Sequence, residues 1–360
     1  MKNVLIAGYF GFGNAGDELI LNSIIENVRK EKAGAKITVL SNSPLETALL
    51  YGVTAVSRWN LPGVARSIKA CDVFISAGGL YQDKTGNLSL YYYLSLILTA
   101  RFFRKRIFLY GVEFAPIKHS INKLMIKFVM GFIDKIGVRS QGSMDFLKGI
   151  GVEKNVFLSA DALLLMDTLP AKKQNPDSPS DKPPDRPRKI AMILKKSTPY
   201  HRDLLAQLCS ALYNRFSAEI YFVPFHLDRD VHFCIDVANK LNFPTLIEVF
   251  NKPSDLFGIL SDMDLVVSQR LHGLILSSLL KIPMFGISSD PKLGFFSSEI
   301  DQRHIVMEQF DIITVVELIN DVWKWRKEFI SALEQKIDKL RYRSYLNVTN
   351  LVSMAEWEGQ

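Results

Sequence analysis

The residues that first suggest chemistry form a glycine-rich loop, GFGNAGDE at positions 11–18, directly after the apolar run 4–7. An apolar run, a glycine loop and a polar turn in this order predict a strand, a tight loop and the start of a helix. In α/β proteins ligands bind at such loops, outside the carboxyl ends of the strands. The loop is therefore expected to bind a ligand, and its glycines match the spacing of a dinucleotide fingerprint.

The residues that follow the glycines argue against a dinucleotide. Asp17 and Glu18 place two carboxylates on the first turn of the helix, where a pyrophosphate needs exposed amides and the positive end of the helix dipole. The next strand candidate, 36–40, is followed by Ser41 and Asn42 and lacks the acid that would bind a ribose. We therefore expect a neutral, hydroxyl-rich ligand at the loop and no nicotinamide cofactor.

The composition indicates a globular protein of two domains. The chain has 360 residues, of which 48% are hydrophobic and 22% charged. Its three cysteines, Cys71, Cys209 and Cys234, lie among apolar neighbours without metal-site spacing, which is typical of buried thiols in a cytosolic protein. The N-terminal residues lack the features of a secretory signal. These observations predict a cytoplasmic protein.

A net charge of +7 predicts an anionic partner: a phosphorylated metabolite, an acidic membrane surface or nucleic acid. Basic residues gather at 101–106 and at Lys118, Lys123 and Lys127, but no nucleic-acid-binding motif accompanies them. Two interpretations stay open, a solvated basic face and a peripheral contact with the inner face of the plasma membrane. The second is favoured by the apolar, tyrosine-rich run 88–100, which is too short to span a bilayer, and places the contact at 88–106.

Short β-branched runs alternate with helical stretches on both sides of a proline-rich segment, and this pattern predicts an α/β fold. We expect two Rossmann-like, doubly wound domains that face each other across a cleft. The segment 170–188 contains six prolines and almost no apolar residue, so it is expected to be an exposed linker. The predicted domains are 1–169 and 189–345, with 346–360 as a tail or helix that packs back on the first domain.

The predicted strand ends of the two halves differ in charge. Ligands bind at these ends in open α/β sheets, so the residues that follow each strand indicate the ligand. The ends in the first half are rich in glycine and in neutral or acidic groups, whereas those in the second half are cationic. We therefore expect the anionic ligand mainly at the second domain, with Arg139 reaching toward it, and a polyhydroxyl ligand at the first.

Six segments at these strand ends carry a family resemblance: YFGFGNAGDE at 9–18, GGLYQD at 78–83, VRSQGS at 138–143, ADA at 160–162, SQRLH at 268–272 and GISSDPK at 286–292. Together they resemble the polysaccharide pyruvyl transferases, and most closely the bacterial enzymes that add a pyruvate ketal to the N-acetylmannosamine of a lipid-linked cell-wall precursor. The resemblance implies the glycosyltransferase B arrangement, phosphoenolpyruvate as donor, a lipid-linked saccharide as acceptor, and neither metal nor cofactor.

The resemblance also implies a donor site of Arg139, His272 and Lys292, which would supply the fixed cations that a phosphate and a carboxylate on adjacent atoms require. Arg270 is a second choice, because it can instead brace its loop from the interior. His272 follows the strand 265–268 and opens a helix, where a bound dianion would favour its cationic form. We expect it to donate a proton to the enol ether or to assist phosphate departure, and a helix-capping histidine is the alternative.

On the acceptor side, Asp17 is the candidate that orients or deprotonates a sugar hydroxyl, and a helix-capping carboxylate is its alternative role. Neutral and acidic groups suited to sugar hydroxyls complete the expected acceptor site: Gly13, Asn14, Asp17, Gly79, Tyr81, Gln82 and Asp83. Two other functions stay open. One is a nucleotide-sugar-dependent glycosyltransferase of the same fold, and the other is a non-catalytic binding module at a membrane.

Overall fold

The computed structural model describes residues 3–83, 86–114, 117–166, 187–288 and 291–356, without the side chains of the last two. Their contacts divide the chain into two compact units. The first unit comprises 3–12, 17–166 and 339–356, and the second comprises 13–16 and 187–338. Residues 170–186 of the predicted linker lie outside the described residues. The predicted domain boundary at 345 falls inside a continuous helix, Arg326–Glu356.

The first unit is built on a seven-stranded parallel sheet with the strand order β3-β2-β1-β4-β5-β6-β7. Its strands are β1 (Asn3–Ala7), β2 (Lys36–Ser41), β3 (Thr54–Ser57), β4 (Val73–Ala77), β5 (Arg106–Val112), β6 (Lys135–Val138) and β7 (Val156–Leu158). Its helices are α1 (Ala15–Glu31), α2 (Pro44–Tyr51), α3 (Leu61–Ala70), α4 (Asn87–Phe102), α5 (Ser120–Met130) and α6 (Gln141–Gly149).

Apolar strands that are covered on both faces explain this architecture. Successive side chains of a strand point to opposite faces, so Leu5 joins one core cluster while Val4 and Ile6 join the other. The first cluster contains residues of α3, α4 and α5, and the second contains residues of α1 and of the C-terminal helix, including Val348 and Leu351. Strands buried on both faces are typical of parallel sheets in α/β proteins.

The second unit is built on a six-stranded parallel sheet with the order β10-β9-β8-β11-β12-β13. Its strands are β8 (Arg188–Ile193), β9 (Ala218–Phe222), β10 (Thr245–Ile247), β11 (Leu265–Ser268), β12 (Met284–Ser288) and β13 (His304–Val306). The remaining helices are α7 (Pro199–Phe216), α8 (Leu227–Ala238), α9 (Asp255–Ser261), α10 (Leu271–Leu279), α11 (Pro291–Glu299), α12 (Ile312–Lys324) and α13 (Arg326–Glu356).

The strand order reverses between β1 and β4 in the first sheet and between β8 and β11 in the second. Crevices at such reversals are where open α/β sheets bind ligands. The fold class expected from the sequence, two Rossmann-like doubly wound α/β domains, is confirmed. The strands β3 and β13 were not predicted, because their sequences contain little of the apolar alternation that predicts a strand. That the two units face a cleft stays a prediction.

Candidate functional site

His272 and Lys292 lie at the carboxyl edge of the second sheet. α10 begins directly after β11 and α11 begins shortly after β12, and these two strands are hydrogen-bonded neighbours. His272 and Lys292 are each the second residue of their helix. The edge therefore combines two basic side chains with the positive ends of two helix dipoles, an arrangement that suits an anion. Ser289 and Asp290, which precede α11, lie outside the described residues.

A buried carboxylate organises the same edge. Asp230 is fully buried and accepts hydrogen bonds from the amides of His226 and Lys196, at 3.0 and 3.3 Å. Both of its oxygens also lie 2.6 Å from Nη2 of Arg270. The alternative role expected for Arg270 is therefore observed, because its charge is paired internally and braces the loop after β11, and a contact with the donor stays a prediction.

The residues 13–16 of the glycine loop belong to this second unit and not to the first, where the sequence analysis had placed them. Asn14 forms an antiparallel bridge with His226, and the amide of Ala15 donates to the carbonyl of Phe225 at 2.8 Å. The side chain of Asn14 accepts a hydrogen bond from the amide of Gly16, as a helix-capping asparagine does at the start of α1.

Gly16 lies directly against the imidazole of His272. A Cβ on Gly16 would lie 2.5 Å from Cγ and 2.8 Å from Cε1 of His272, and closer still to Nδ1. No side chain larger than hydrogen fits there without moving the ring. Gly16 and His272, which are 256 positions apart in sequence, therefore lie in one local structure of the second unit.

His226 is a residue to which the sequence analysis gave no role. It follows β9, is buried, and among the described residues neither of its ring nitrogens has a hydrogen-bond partner. Burial lowers the pKa of His226, and the nearby charges of Arg229 and Arg270 lower it further. A neutral imidazole with unsatisfied nitrogens can accept or donate a proton or a hydrogen bond toward a ligand. Its position after a strand was the only signal in the sequence.

Arg139 is buried in the first unit between two carboxylates. Its Nε donates to Glu113 at 3.0 Å and its Nη1 donates to Asp161 at 2.5 Å. Burial alone would lower the pKa of Arg139, but Asp161 and Glu113 outweigh burial and raise it. Glu113 also accepts hydrogen bonds from the hydroxyls of Ser140 and Ser143, at 2.6 and 2.9 Å. Arg139 thus links three strand ends, and the predicted role of Arg139 in donor binding stays a prediction.

Asp17 lies in the first unit, near the end of β4. Its Oδ1 is 3.6 Å from the position that a Cβ on Gly78 would occupy, and its charge contributes to the raised pKa values of Arg139 and Tyr93. Gly78 has a φ of 100°, a conformation that favours glycine and lets the backbone pass close to the carboxylate. Asp17 therefore lies at the strand-order reversal of the first sheet, as expected for a ligand-facing group.

Glu18, the neighbour of Asp17, has a structural role. It is buried and accepts hydrogen bonds from the amide of Gly11 at 2.6 Å and from the hydroxyl of Tyr51 at 3.0 Å. Burial raises the pKa of Glu18 to about 7, although these two hydrogen bonds oppose the increase. The carboxylate fixes the start of the glycine loop to α1 and α2.

Two residues of the expected acceptor site are used internally. Tyr81 is fully buried, its hydroxyl lies 2.9 Å from that of Ser76, and its ring stacks on Phe114, so the expected contact of Tyr81 with a sugar is corrected to a core contact. Asp83 is also buried, and its carboxylate accepts hydrogen bonds from the amides of Lys118 and His119 at 3.0 Å.

The pKa of Asp83 is lowered overall: burial alone would raise it, but the hydrogen bonds from the amides of Lys118 and His119 outweigh burial. Asp83 therefore shapes the segment before α5 and does not present its carboxylate to a sugar. Gly79 and Gln82 are partly exposed at the same strand end, and their contact with an acceptor stays a prediction. Among the described residues, no group of three or more His, Cys, Asp or Glu side chains is arranged to hold a metal ion.

Two doubly wound parallel sheets define a protein of the glycosyltransferase B fold class, and solved structures share this fold. The UDP-GlcNAc 2-epimerase of Neisseria meningitidis, bound to UDP-GlcNAc, is 11% identical with a TM-score of 0.64, over 98% of this chain and 100% of that one. A glycosyltransferase of Rickettsia africae is 12% identical with a TM-score of 0.64, over 99% of both chains. Anabaena HepE, in complex with UDP-glucose, is 9% identical with a TM-score of 0.61, over 98% of this chain and 100% of that one. At these identities the likeness shows the fold alone.

The family follows from the sequence itself. The family model of the polysaccharide pyruvyl transferases matches residues 14–291, which is more than half of the chain. The chain therefore belongs to the polysaccharide pyruvyl transferase family, so the family resemblance is confirmed, whereas the closer resemblance to the enzymes that act on N-acetylmannosamine stays a prediction. No curated protein matches the chain at a significant level.

Proposed function

We propose that the protein transfers the enolpyruvyl group of phosphoenolpyruvate to two hydroxyls of a lipid-linked saccharide and forms a pyruvate ketal. One hydroxyl oxygen bonds to C2 and gives its proton to a base, while the electron pair of the C2–C3 double bond takes a proton at C3. The bond between C2 and the phosphate oxygen then breaks, and phosphate leaves with the electron pair. The second hydroxyl oxygen bonds to C2 and closes the ring, and its proton passes to the phosphate or to a base.

The observation that carries the proposal is the cationic edge of the second sheet. A donor with a phosphate and a carboxylate on adjacent atoms needs several fixed positive groups, and this edge offers His272, Lys292 and the amino ends of α10 and α11. Lys195 and Lys196 follow β8, which neighbours β11. Among the side chains described at this edge, Asp230 is the one that carries a negative charge, and its ion pair with Arg270 neutralises that negative charge.

Within this proposal His272 acts on the donor. Beside a bound phosphate, the imidazole can supply a proton to C3 or to the departing phosphate. Its ring is held in place by the backbone of Gly16. Asp17 acts on the acceptor as the base that orients or deprotonates a hydroxyl, from its position at the reversal of the first sheet.

A lipid-linked acceptor, with N-acetylmannosamine as the expected sugar, requires access to a membrane surface, and the first unit has a surface that suits one. Phe102 of α4 and Ile121, Leu124 and Phe128 of α5 are all more than half exposed. The side chain of Asn122 links the two helices, because it accepts a hydrogen bond from the hydroxyl of Tyr91 at 3.0 Å and donates one to the side chain of Asn87 at 2.9 Å. We name the four apolar residues, with Lys118, Lys123 and Lys127, the α4–α5 face.

The charge of the α4–α5 face favours an anionic lipid surface. Its three lysines are exposed, and neither helix contains an aspartate or a glutamate. Exposed apolar side chains flanked by lysines are typical of helices that lie in a membrane interface. No helix of the described residues is long and apolar enough to cross a membrane. The peripheral contact thus extends from the expected 88–106 to α5.

The transfer reaction is tested by measuring phosphate release from phosphoenolpyruvate across a panel of lipid-linked disaccharides. The expected result is release that depends on an acceptor and is strongly reduced in His272→Ala. The matched control is His232→Ala, because His232 is an exposed histidine of α8. If UDP-sugars raised the melting temperature and phosphoenolpyruvate did not, the proposal would be wrong and a glycosyltransferase would be favoured.

The membrane contact is tested by sedimentation with vesicles that contain anionic lipid. Leu124→Ser with Phe128→Ser is expected to abolish binding, because both side chains are exposed and their loss leaves the core intact. Ile313→Ser is the matched control, since Ile313 is equally exposed but lies on α12. Binding that survives the double substitution, or that does not depend on anionic lipid, would contradict the membrane proposal.

A further inference from the structure

Arg58 is a buried cation that none of the roles above uses. It follows β3 directly, is only 5% exposed, and extends across the carboxyl edge of the first sheet. Its Nη1 donates to the carbonyl of Gly8, just after β1, at 3.3 Å and to the hydroxyl of Tyr93 at 3.2 Å. Because the strand order reverses next to β1, Arg58 lies where ligands bind in such sheets.

The charge of Arg58 has no acidic partner. Within the described part of the chain, no carboxylate lies within ion-pair distance of its guanidinium, and its buried Nε has no hydrogen-bond partner. Buried charges in proteins are normally paired, because desolvation of an isolated charge is strongly unfavourable. Arg139 of the same unit follows this rule with its two carboxylates.

The hydrogen bonds of Arg58 do not explain why an arginine is needed. The hydroxyl of Tyr93 itself donates to the carbonyl of Gly8 at 3.0 Å, so both groups stay paired with each other when the guanidinium is removed. An uncharged side chain of similar shape would fill the same space without the desolvation cost. A retained charge without a described carboxylate partner, at a strand-order reversal, points to an anionic ligand.

Aromatic rings surround the guanidinium and provide a surface beside it. Arg58 lies 4.4 Å from the ring centroid of Tyr92, 5.0 Å from that of Phe12 and 5.3 Å from that of Trp59, within the range of cation–π interactions. Trp59 is 65% exposed, and Phe12 and Tyr92 are partly exposed. Exposed aromatic faces next to a charged group can pack against the apolar face of a sugar ring.

We propose that Arg58, with Phe12, Trp59 and Tyr92, forms a subsite that binds a sugar-linked phosphate of the acceptor. The inference rests on the proposed function for the identity of the ligand and deepens it, because it assigns the phosphate of a lipid-linked saccharide to one side chain. The guanidinium binds the phosphate oxygens by charge-assisted hydrogen bonds, and the rings pack against the attached sugar. The donor phosphate stays at the second sheet.

The subsite is tested by calorimetric binding of a short-chain, soluble sugar diphosphate to the wild-type protein and to Arg58→Met and Arg58→Lys. Arg58→Met is expected to weaken binding about 10- to 100-fold, as the loss of a hydrogen bond to a charged group does. Arg58→Lys is expected to bind with intermediate affinity, because it keeps the charge and loses the planar fork. Trp59→Leu is expected to weaken binding of the sugar diphosphate and not that of inorganic pyrophosphate.

Arg29→Met is the matched control, because Arg29 is an exposed arginine of the same unit whose guanidinium also donates to backbone carbonyls, those of Tyr51 and Gly52. Unchanged affinity in Arg58→Met, or an equal loss in Arg29→Met, overturns the subsite. A rise in the KM of phosphoenolpyruvate alone overturns its assignment to the acceptor. If Arg58→Met does not fold, the affinity of Arg58→Lys for the sugar diphosphate is compared with that of wild type, and an unchanged affinity overturns the subsite.

The same binding experiment separates this inference from the proposed function. Wild-type protein that binds the sugar diphosphate through Arg58 but releases no phosphate from phosphoenolpyruvate would refute the transfer reaction and keep the subsite. Acceptor-dependent phosphate release with a wild-type acceptor KM in Arg58→Met would keep the reaction and refute the subsite.

Discussion

The contact between Gly16 and His272 gives a prediction with a magnitude. In Gly16→Ala the new Cβ would lie 2.5 Å from Cγ of the imidazole, whereas ordinary van der Waals contact begins at 3.4 Å. The ring must therefore retreat by at least about 1 Å, because Nδ1 lies even closer to the new Cβ than Cγ does. The φ of Gly16 is not positive, so alanine is compatible with the backbone and the steric clash is the main effect.

A displacement of about 1 Å in a reacting group lowers a rate by roughly 100-fold. We expect kcat/KM for phosphate release to fall by about that factor in Gly16→Ala. The free energy of unfolding is expected to change by less than about 1 kcal/mol, because the higher helix propensity of alanine offsets the cost of moving the ring off its preferred rotamer. Gly16→Ala is thus expected to lose most of its activity and to keep its stability.

The assay is steady-state phosphate release, combined with urea unfolding of the same preparations. Gly258→Ala is the matched control, since Gly258 is an exposed helical glycine of the second unit with open space at the Cβ position. The double variant with His272→Ala is expected to be no slower than His272→Ala alone, because the clash disappears with the ring. Wild-type activity in Gly16→Ala, or additive losses in the double variant, would refute the role given to this contact.

Three further predictions concern buried charges. Arg139→Leu is expected to lower the free energy of unfolding by about 3–5 kcal/mol in urea titrations, because Glu113 and Asp161 would stay buried without a cation; a loss below about 1 kcal/mol would contradict this. Glu18→Gln is expected to exceed wild type in stability at pH 8, by up to roughly 3 kcal/mol, and to lose that advantage at pH 5, since a raised pKa near 7 makes ionisation of the native carboxyl unfavourable. A stability difference between Glu18→Gln and wild type that does not change with pH would contradict the assignment of this effect to Glu18. For His226 the pH dependence of stability has the opposite sign. Its lowered pKa adds stability above pH 6.5, and this stability is lost as the pH falls. The stability of wild type relative to His226→Leu is therefore expected to decrease from pH 7 to pH 5, measured by urea titrations at the two pH values.

The fold was largely predictable because the strands of both sheets are buried on both faces. A parallel strand of this kind is a short apolar run, and the runs at 4–7, 73–76 and 265–268 lie inside β1, β4 and β11. The edge strands β3 and β13 were not found, whereas β7 and β10, which are edge strands of three residues, were; short, partly exposed edge strands need few apolar residues, so their pattern in the sequence is weak.

The candidate site was predictable only in part, because residue type and position after a strand do not reveal where a side chain points. Asp17 and Asp83 are both carboxylates at strand ends, yet both oxygens of Asp83 accept hydrogen bonds from backbone amides of the segment before α5. The loop 13–16 was expected beside the first sheet, but its backbone pairs with the residues after β9. Such pairing depends on contacts between distant parts of the chain, which no local pattern encodes.

Arg58 and Arg139 show how partners decide the role of an arginine after a strand. Both are buried in the same unit, and the sequence alone favoured Arg139 as the ligand-binding residue. Arg139 satisfies two carboxylates that would otherwise be buried alone, so its removal destabilises the fold whether or not a ligand is present. Arg58 neutralises no described carboxylate and its two hydrogen-bond acceptors pair without it, so its removal is expected to leave the fold intact. A buried charge that the fold does not need is kept for a partner outside the chain, and near a strand-order reversal that partner is a ligand.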